Sequence, residues 1–429
     1  MGIFQRVSQR MIAFAIMIII VLGAWYAVRW YANVQDFNLL EQQASLFSAG
    51  RIVGVSGERI LVEFAEGMQG GERAQIVKKY NLRERGNIPK LGVRMYALPE
   101  GGSAEAITGV MMSENPEKIL FAEPDYAVEP SVIPDDPWYV SWQRDKVIMR
   151  APEAWDISTG ANVRIAVLDT GVNCQHEDLS GVCVSGWNVL TNAADATDAH
   201  GHGTAVAGVL GAIGNNTVGV AGGTWASEIM PIVVGGSNGE ATYSSIASGI
   251  VYAAEHGARV VNNSYQSGGS SAVARAASYL GSKGGLLVVS EGNYGERTRN
   301  KANPNIISVG AVDAQDTRYS WSSYGADIDL VAPGCTGATT SKDGGYGSFC
   351  GTSASAPEVA STIALMWSAN PALLPSDIMN VLMSSSVDLG KSGWDEEYGW
   401  GRIDMARAVA EAKTALPGTS NAKPFRGKN

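Results

Sequence analysis

A nearly unbroken apolar run, Val163-Arg164-Ile165-Ala166-Val167-Leu168, stops abruptly at Asp169-Thr170-Gly171. A strand this apolar has to be covered on both faces, as in a parallel sheet clothed by helices. The run therefore predicts an α/β fold with a mostly parallel sheet. It also puts Asp169 at a strand's carboxyl end, where open α/β sheets collect their ligands. A second such run, Leu286-Leu287-Val288-Val289, leads into Ser290-Glu291-Gly292-Asn293.

Two further segments supply the groups that a carboxylate in that place would serve. His200-Gly201-His202-Gly203-Thr204 precedes a small, apolar stretch through Leu210 suited to a close-packed helix. Gly351-Thr352-Ser353-Ala354-Ser355-Ala356-Pro357 opens an apolar stretch reaching Met366, in which Pro357 fits only near the first helical turn. A serine hydroxyl becomes a useful nucleophile when an imidazole takes its proton, and a carboxylate holds that imidazole in the working tautomer. Ser353, His202 and Asp169 are the candidates for these three roles, with Ser353 at a positive helix end.

In the order Asp, His, Ser, these segments resemble those of the subtilase family, and the likeness runs from about Asp136 to Val409. The resemblance implies a subtilisin-like fold with helices on both faces of the sheet. It implies that Asn293 and the backbone N–H of Ser353 stabilise the oxyanion. Val260 to Gly268 is similar to the family's substrate-binding edge strand, where an extended peptide adds by β-augmentation. Ser264, Tyr265, Gln266 and Ser267 would then wall the S1 pocket with Ser290, Glu291 and Gly292, while Tyr243, Ser245 and Ile246 would line S4. The chain departs from the family pattern at Ala205, Ala354 and Glu358, and at Gln266 and Ser267, which narrow or polarise S1. Glu291 stands where small apolar residues are usual and has two readings. It either selects basic P1 residues or turns away onto backbone or solvent, and the cost of a lone buried carboxylate favours the second. The resemblance also implies structural calcium, held by Asp178, the Asn216 side chain and the carbonyls of Gly214, Val218 and Val220.

The remainder of the chain sets the context. A net charge of −10 gives nucleic-acid binding no electrostatic support. After a basic n-region, residues 1–10, the uncharged run 11–28 is long enough to cross a bilayer. It reads as a single membrane anchor or a signal peptide, and either sends the rest of the chain out of the cytoplasm. Four cysteines agree with export: Cys174 and Cys183 flank a short loop, and Cys335 and Cys350 bracket a glycine-rich hairpin. Both pairs are expected as disulfides.

Residues 29–55 read as a linker and 56–126 as a compact α+β domain, with strands at 59–64, 92–98 and 117–121 and helices at 73–80 and 104–113. Its end resembles the family's inhibitory propeptide. Residues 127–136 would form the autoprocessing linker, 137–416 the peptidase domain and 417–429 a disordered tail. The expected protein is an exported serine endopeptidase that acts on polypeptides and removes its own propeptide, an intramolecular inhibitor and chaperone. An inactive binding module, or an esterase or transpeptidase using the same acyl-enzyme, are the alternatives.

Overall fold

The computed structural model describes residues 51–418, apart from 66, 100, 130–131 and 301–302. The n-region and the apolar segment 11–28, most of the expected linker and the tail from 419 onward lie outside the described residues. No helix among the described residues is long and apolar enough to cross a membrane. The chain divides into two compact units, 43–131 and a larger one that includes 132–429.

In the smaller unit, four antiparallel strands lie in the order Arg83–Ile88, Val93–Ala97, Arg51–Phe64, Ile119–Glu129. Helices Gly70–Lys79 and Ala104–Glu114 complete it, and Ile60, Val62, Tyr96, Met111 and Ile119 form its core. The expected α+β pattern is present, with two differences. Arg83–Ile88 is a strand that sequence reading leaves out, because Arg-Glu-Arg-Gly-Asn-Ile has no apolar alternation and pairs only along one edge. The first and last strands in chain order also run further than expected: the last continues to Glu129, well into the supposed linker, where it pairs with residues from Arg51 onward.

In the larger unit, a seven-stranded sheet has the order Ile328–Pro333, Ile306–Val312, Leu286–Ser290, Val260–Asn263, Arg164–Asp169, Glu228–Val233, Trp187–Asn188, and every pairing is parallel. Alternate residues of Arg164–Asp169 divide between two cores, as two-sided cover requires. Ile165 and Val167 pack with helices His202–Gly211 and Thr352–Ala369, whereas Ala166 and Leu168 pack with Tyr243–Glu255 and Ser271–Ser282. Strand order reverses around Arg164–Asp169, so the carboxyl ends of this strand and its neighbours open the crevice that suits a ligand site.

Both expected disulfides are present, Cys174–Cys183 and Cys335–Cys350, the second spanning the hairpin Cys335–Thr340 and Tyr346–Cys350. Pro357 lies in the second helical turn rather than the first. Its missing N–H frees the Ser353 carbonyl, which instead accepts from the Ser264 hydroxyl at 3.5 Å.

The family departure Glu358 has a buried partner. Lys146 is fully buried, with Nζ 2.7 Å from both Glu358 carboxylate oxygens and 2.9 Å from the Val209 carbonyl, and Asp145 lies 3.7 Å away. This ties the helix Arg144–Ile148 to the helix that carries Ser353. Lys146→Met strands two buried carboxyls without a cation and is expected to cost about 3–5 kcal/mol in denaturant unfolding, partly recovered by adding Glu358→Leu. A loss below about 1 kcal/mol would show that the charge cluster does not hold this packing.

Candidate active site

Asp169 is fully buried at its strand end, and its carboxylate meets His202 Nδ1 at 2.8 and 2.9 Å. This close approach depends on Gly203. A Cβ there would stand 2.1 Å from the Gly171 carbonyl oxygen and 2.9 Å from Asp169 Cβ, so any side chain would push the helix off the strand end. With Nδ1 facing the carboxylate, the imidazole proton resides on Nδ1 and Nε2 is left unprotonated to act as a base.

A second carboxylate, which sequence reading overlooks, organises this corner. Asp198 accepts from the Thr170 hydroxyl, the N–H groups of His200 and Gly201, and both the N–H and hydroxyl of Thr204. Burial works against its ionisation, but the donors from Thr204, Gly201 and Thr170 outweigh it and hold its pKa below the usual carboxylate range. Thr170 in turn accepts from the Gly203 N–H, so one network joins both sides of the Asp169–His202 contact. Burial also opposes the His202 imidazolium, yet the Asp169 charge, its hydrogen bond and the Asp198 charge together raise the His202 pKa. The available signal was Thr204 following an acidic residue at six places' distance, too generic to single out.

Ser353 lies in the first turn of its helix, beneath Gly351, whose φ of 138° is open to glycine and whose added Cβ would meet Asn293 Nδ2 at 3.0 Å. Asn293 Oδ1 accepts from the N–H and hydroxyl of Thr352 at 2.8 and 2.9 Å. These bonds fix the amide so that its nitrogen is the free end beside the Ser353 turn. The Ser353 hydroxyl donates to the Ser264 carbonyl at 3.2 Å rather than to His202. Such links commonly tighten only when substrate is bound.

Several expected pocket residues also have structural contacts. Ile246 is buried in the core, leaving Tyr243 as the exposed member of that pair, and the Ser245 hydroxyl accepts from the N–H of the N-cap residue Thr242 and donates to the Val234 carbonyl. Ser267 turns inward to Asn263. Glu291 is buried, but not onto backbone or solvent. It accepts from Thr298 Oγ1 at 2.8 Å, and the same hydroxyl lies 2.7 Å from Asp327. Burial, with Asp327 and Asp329 adding to it, pushes the Glu291 pKa up to about 8. His176 is structural, bonded to the Gly345 carbonyl and the Asp178 N–H.

The loop Gly214–Val220 forms a separate oxygen-rich corner. Asp178 is buried and accepts from Asn216 Nδ2 and the Val220 N–H, while Asn216 Oδ1 turns to the Val218 N–H. Sequence reading left out Asp136, which is 2% exposed and bonds the Asn215 N–H through one oxygen. Its other oxygen has no partner among the described residues. Burial raises both the Asp136 and Asp178 pKa values, and the Asp178 charge adds to the shift at Asp136. Two desolvated carboxylates, one orphaned oxygen and a carbonyl-rich loop suit a hard cation, although Asn216 as placed offers nitrogen rather than oxygen.

The Subtilase family pattern matches residues 160–401. Thermitase of Thermoactinomyces vulgaris is 34% identical over 279 residues, 64% of this chain and 99% of that protein. A thermophilic serine proteinase of Bacillus sp. (strain AK1) is 32% identical, covering 83% of this chain and 88% of its own. Among solved structures, a protease from Pseudoalteromonas arctica PAMC 21717 superposes with a TM-score of 0.57 at 29% identity, over 66% of this chain and all of that one. The strand-end carboxylate, the imidazole it holds and the helix-borne serine thus stand in a chain that belongs to the subtilase family, a subtilisin-like serine endopeptidase.

Proposed function

We propose that Asp169, His202 and Ser353 are the catalytic triad of this endopeptidase, with Asn293 Nδ2 and the Ser353 N–H as oxyanion donors. The observation that carries the reading is the two-oxygen contact of Asp169 with His202 Nδ1, which prepares Nε2 to accept a proton. His202 Nε2 removes the Ser353 hydroxyl proton as Oγ attacks the peptide carbonyl, and returns it to the departing amine. Water then releases the acyl group by the same route in reverse. The helix end beneath Ser353 favours the negative charge that develops.

The unit 43–131 acts as the propeptide, cut from the peptidase within 127–136. Its own core and sheet support independent folding, and a slow-forming parallel sheet has a physical use for a template. The two disulfides support export into an oxidising compartment. Calcium is the cation that suits Asp136, Asp178 and the carbonyls of Gly214, Val218 and Val220. Bound there, it would neutralise the two carboxylates and brace the loop.

Intact mass and labelling by a serine-directed fluorophosphonate test this reading. Wild type should lose its first unit and label, and Ser353→Ala should do neither. A folded, uncut and unlabelled wild type would favour a binding module. Asn293→Ala should lower turnover by about 10²–10³, a figure measured for the corresponding donor in subtilisin itself rather than derived from this chain.

The pH profile tests the charges around His202. The imidazole must be neutral to take a proton, so its raised pKa sets the acid limb of kcat/KM above the ordinary value of about 6.5. Asp198→Asn removes one raising charge and should move that limb to lower pH, and an unmoved limb would deny Asp198 its electrostatic role. For calcium, a chelator should lower the wild-type Tm. Asp178→Asn should blunt that response, and a chelator-insensitive Tm would remove the ion from the proposal.

A further inference from the structure

The acyl-transfer reading fixes where a substrate side chain must go, and one residue of this chain stands in the way. The carbonyl under attack must come within about 3–3.5 Å of Ser353 Oγ. Two segments flank that atom. On one side is Ser264, whose carbonyl lies 3.2 Å from Ser353 Oγ and whose hydroxyl faces the Ser353 carbonyl. On the other are Gly292 and Asn293, bonded to Thr352 through the Gly292 N–H at 3.1 Å and Asn293 Oδ1 at 2.8 Å. The side chain on the acyl side of the cleaved bond, P1, enters between them.

Gln266 spans that gap. A Cβ placed on Gly292 would stand 2.7 Å from Gln266 Cδ, 2.8 Å from Oε1 and 3.0 Å from Nε2, so the carboxamide lies against the main chain of the opposite wall. An aromatic ring needs van der Waals clearance of roughly 3.5 Å on each face, which a slot already bridged by an amide does not leave. Around Thr298, next to this wall, the surroundings are acidic rather than apolar, with Glu291 and Asp327 buried and Asp327 Oδ2 unpartnered among the described residues. A large apolar P1 would gain little there, and an acidic one would meet carboxyls.

Resting on the endopeptidase reading, we infer that Gln266 closes the S1 slot and restricts this enzyme to small, uncharged P1 residues. The sequence of the proposed processing segment agrees with a slot closed to large side chains. The proposed processing segment 127–136, Ala-Val-Glu-Pro-Ser-Val-Ile-Pro-Asp-Asp, contains no aromatic residue and no lysine or arginine. An enzyme that matures by cutting there accepts a P1 residue that is neither aromatic nor basic.

The test is a series of tetrapeptide p-nitroanilides differing only at P1 (Ala, Ser, Leu, Phe, Arg, Glu), with active enzyme counted by fluorophosphonate labelling. Wild type should favour Ala or Ser over Phe by at least tenfold in kcat/KM. Gln266→Gly and Gln266→Ala should each shrink the Ala-to-Phe ratio at least tenfold, chiefly by a gain on Phe. A wild type that takes Phe as readily as Ala overturns the inference, as does a ratio unmoved in both variants. A preference for Arg overturns it too, by showing that a cation passes the amide to reach Glu291 and Asp327. Failure of the wild type to label removes the endopeptidase reading and this inference with it, whereas labelling with an unrestricted P1 profile removes the inference alone.

Discussion

The contact between the end of the strand Arg164–Asp169 and the start of the helix His202–Gly211 sets the geometry of the site. Gly203 has no side chain to hold the two apart, and the Gly171 carbonyl occupies the space a Cβ would need. That closeness brings a buried carboxylate within 2.8 Å of an imidazole without a long side chain on either partner. Rigid elements hold both groups, so their alignment costs little ordering when substrate arrives.

Asp198 shows how the polar groups of this corner reinforce one another. A loop residue gathers donors from Thr170, Thr204 and two backbone amides, and so secures the turn that delivers His202. The same carboxylate adds negative potential at the imidazole. Positioning and electrostatics therefore come from a single group, and a low local dielectric makes the satisfied network stronger than its parts.

The buried charges elsewhere follow two different patterns. Lys146 and Glu358 are paired at short range, joining the front of the larger unit to the helix of Ser353. Glu291 and Asp327 share one hydroxyl between two carboxyls, an arrangement that favours a protonated Glu291 at neutral pH. Residues that depart from the family pattern thus have identifiable partners: Glu358 has Lys146, Glu291 has Thr298, and Gln266 has the Gly292 main chain.

Local pattern was enough to read the apolar parallel strands, the helices after His202 and Ser353, the two cysteine pairs and the pairing of Asp169 with His202. Each depends on periodicity, on turn residues or on short spacing, all of which a linear sequence displays. Arg83–Ile88 was not legible, since an edge strand stabilised by pairing needs no apolar alternation. Nor were Asp198, Asp136, the Glu291–Thr298–Asp327 cluster or the path of the Gln266 side chain. Their meaning lies in contacts between segments far apart in the chain, and a buried carboxyl is distinguished from a surface one only by what packs around it. The sequence by itself determined the fold class and which groups are candidates for the reaction, because these follow from residue type and local order. The tertiary structure alone decided which charges are buried, which oxygens lack partners and which side chain bridges the cleft, because desolvation and close approach arise only when distant segments meet.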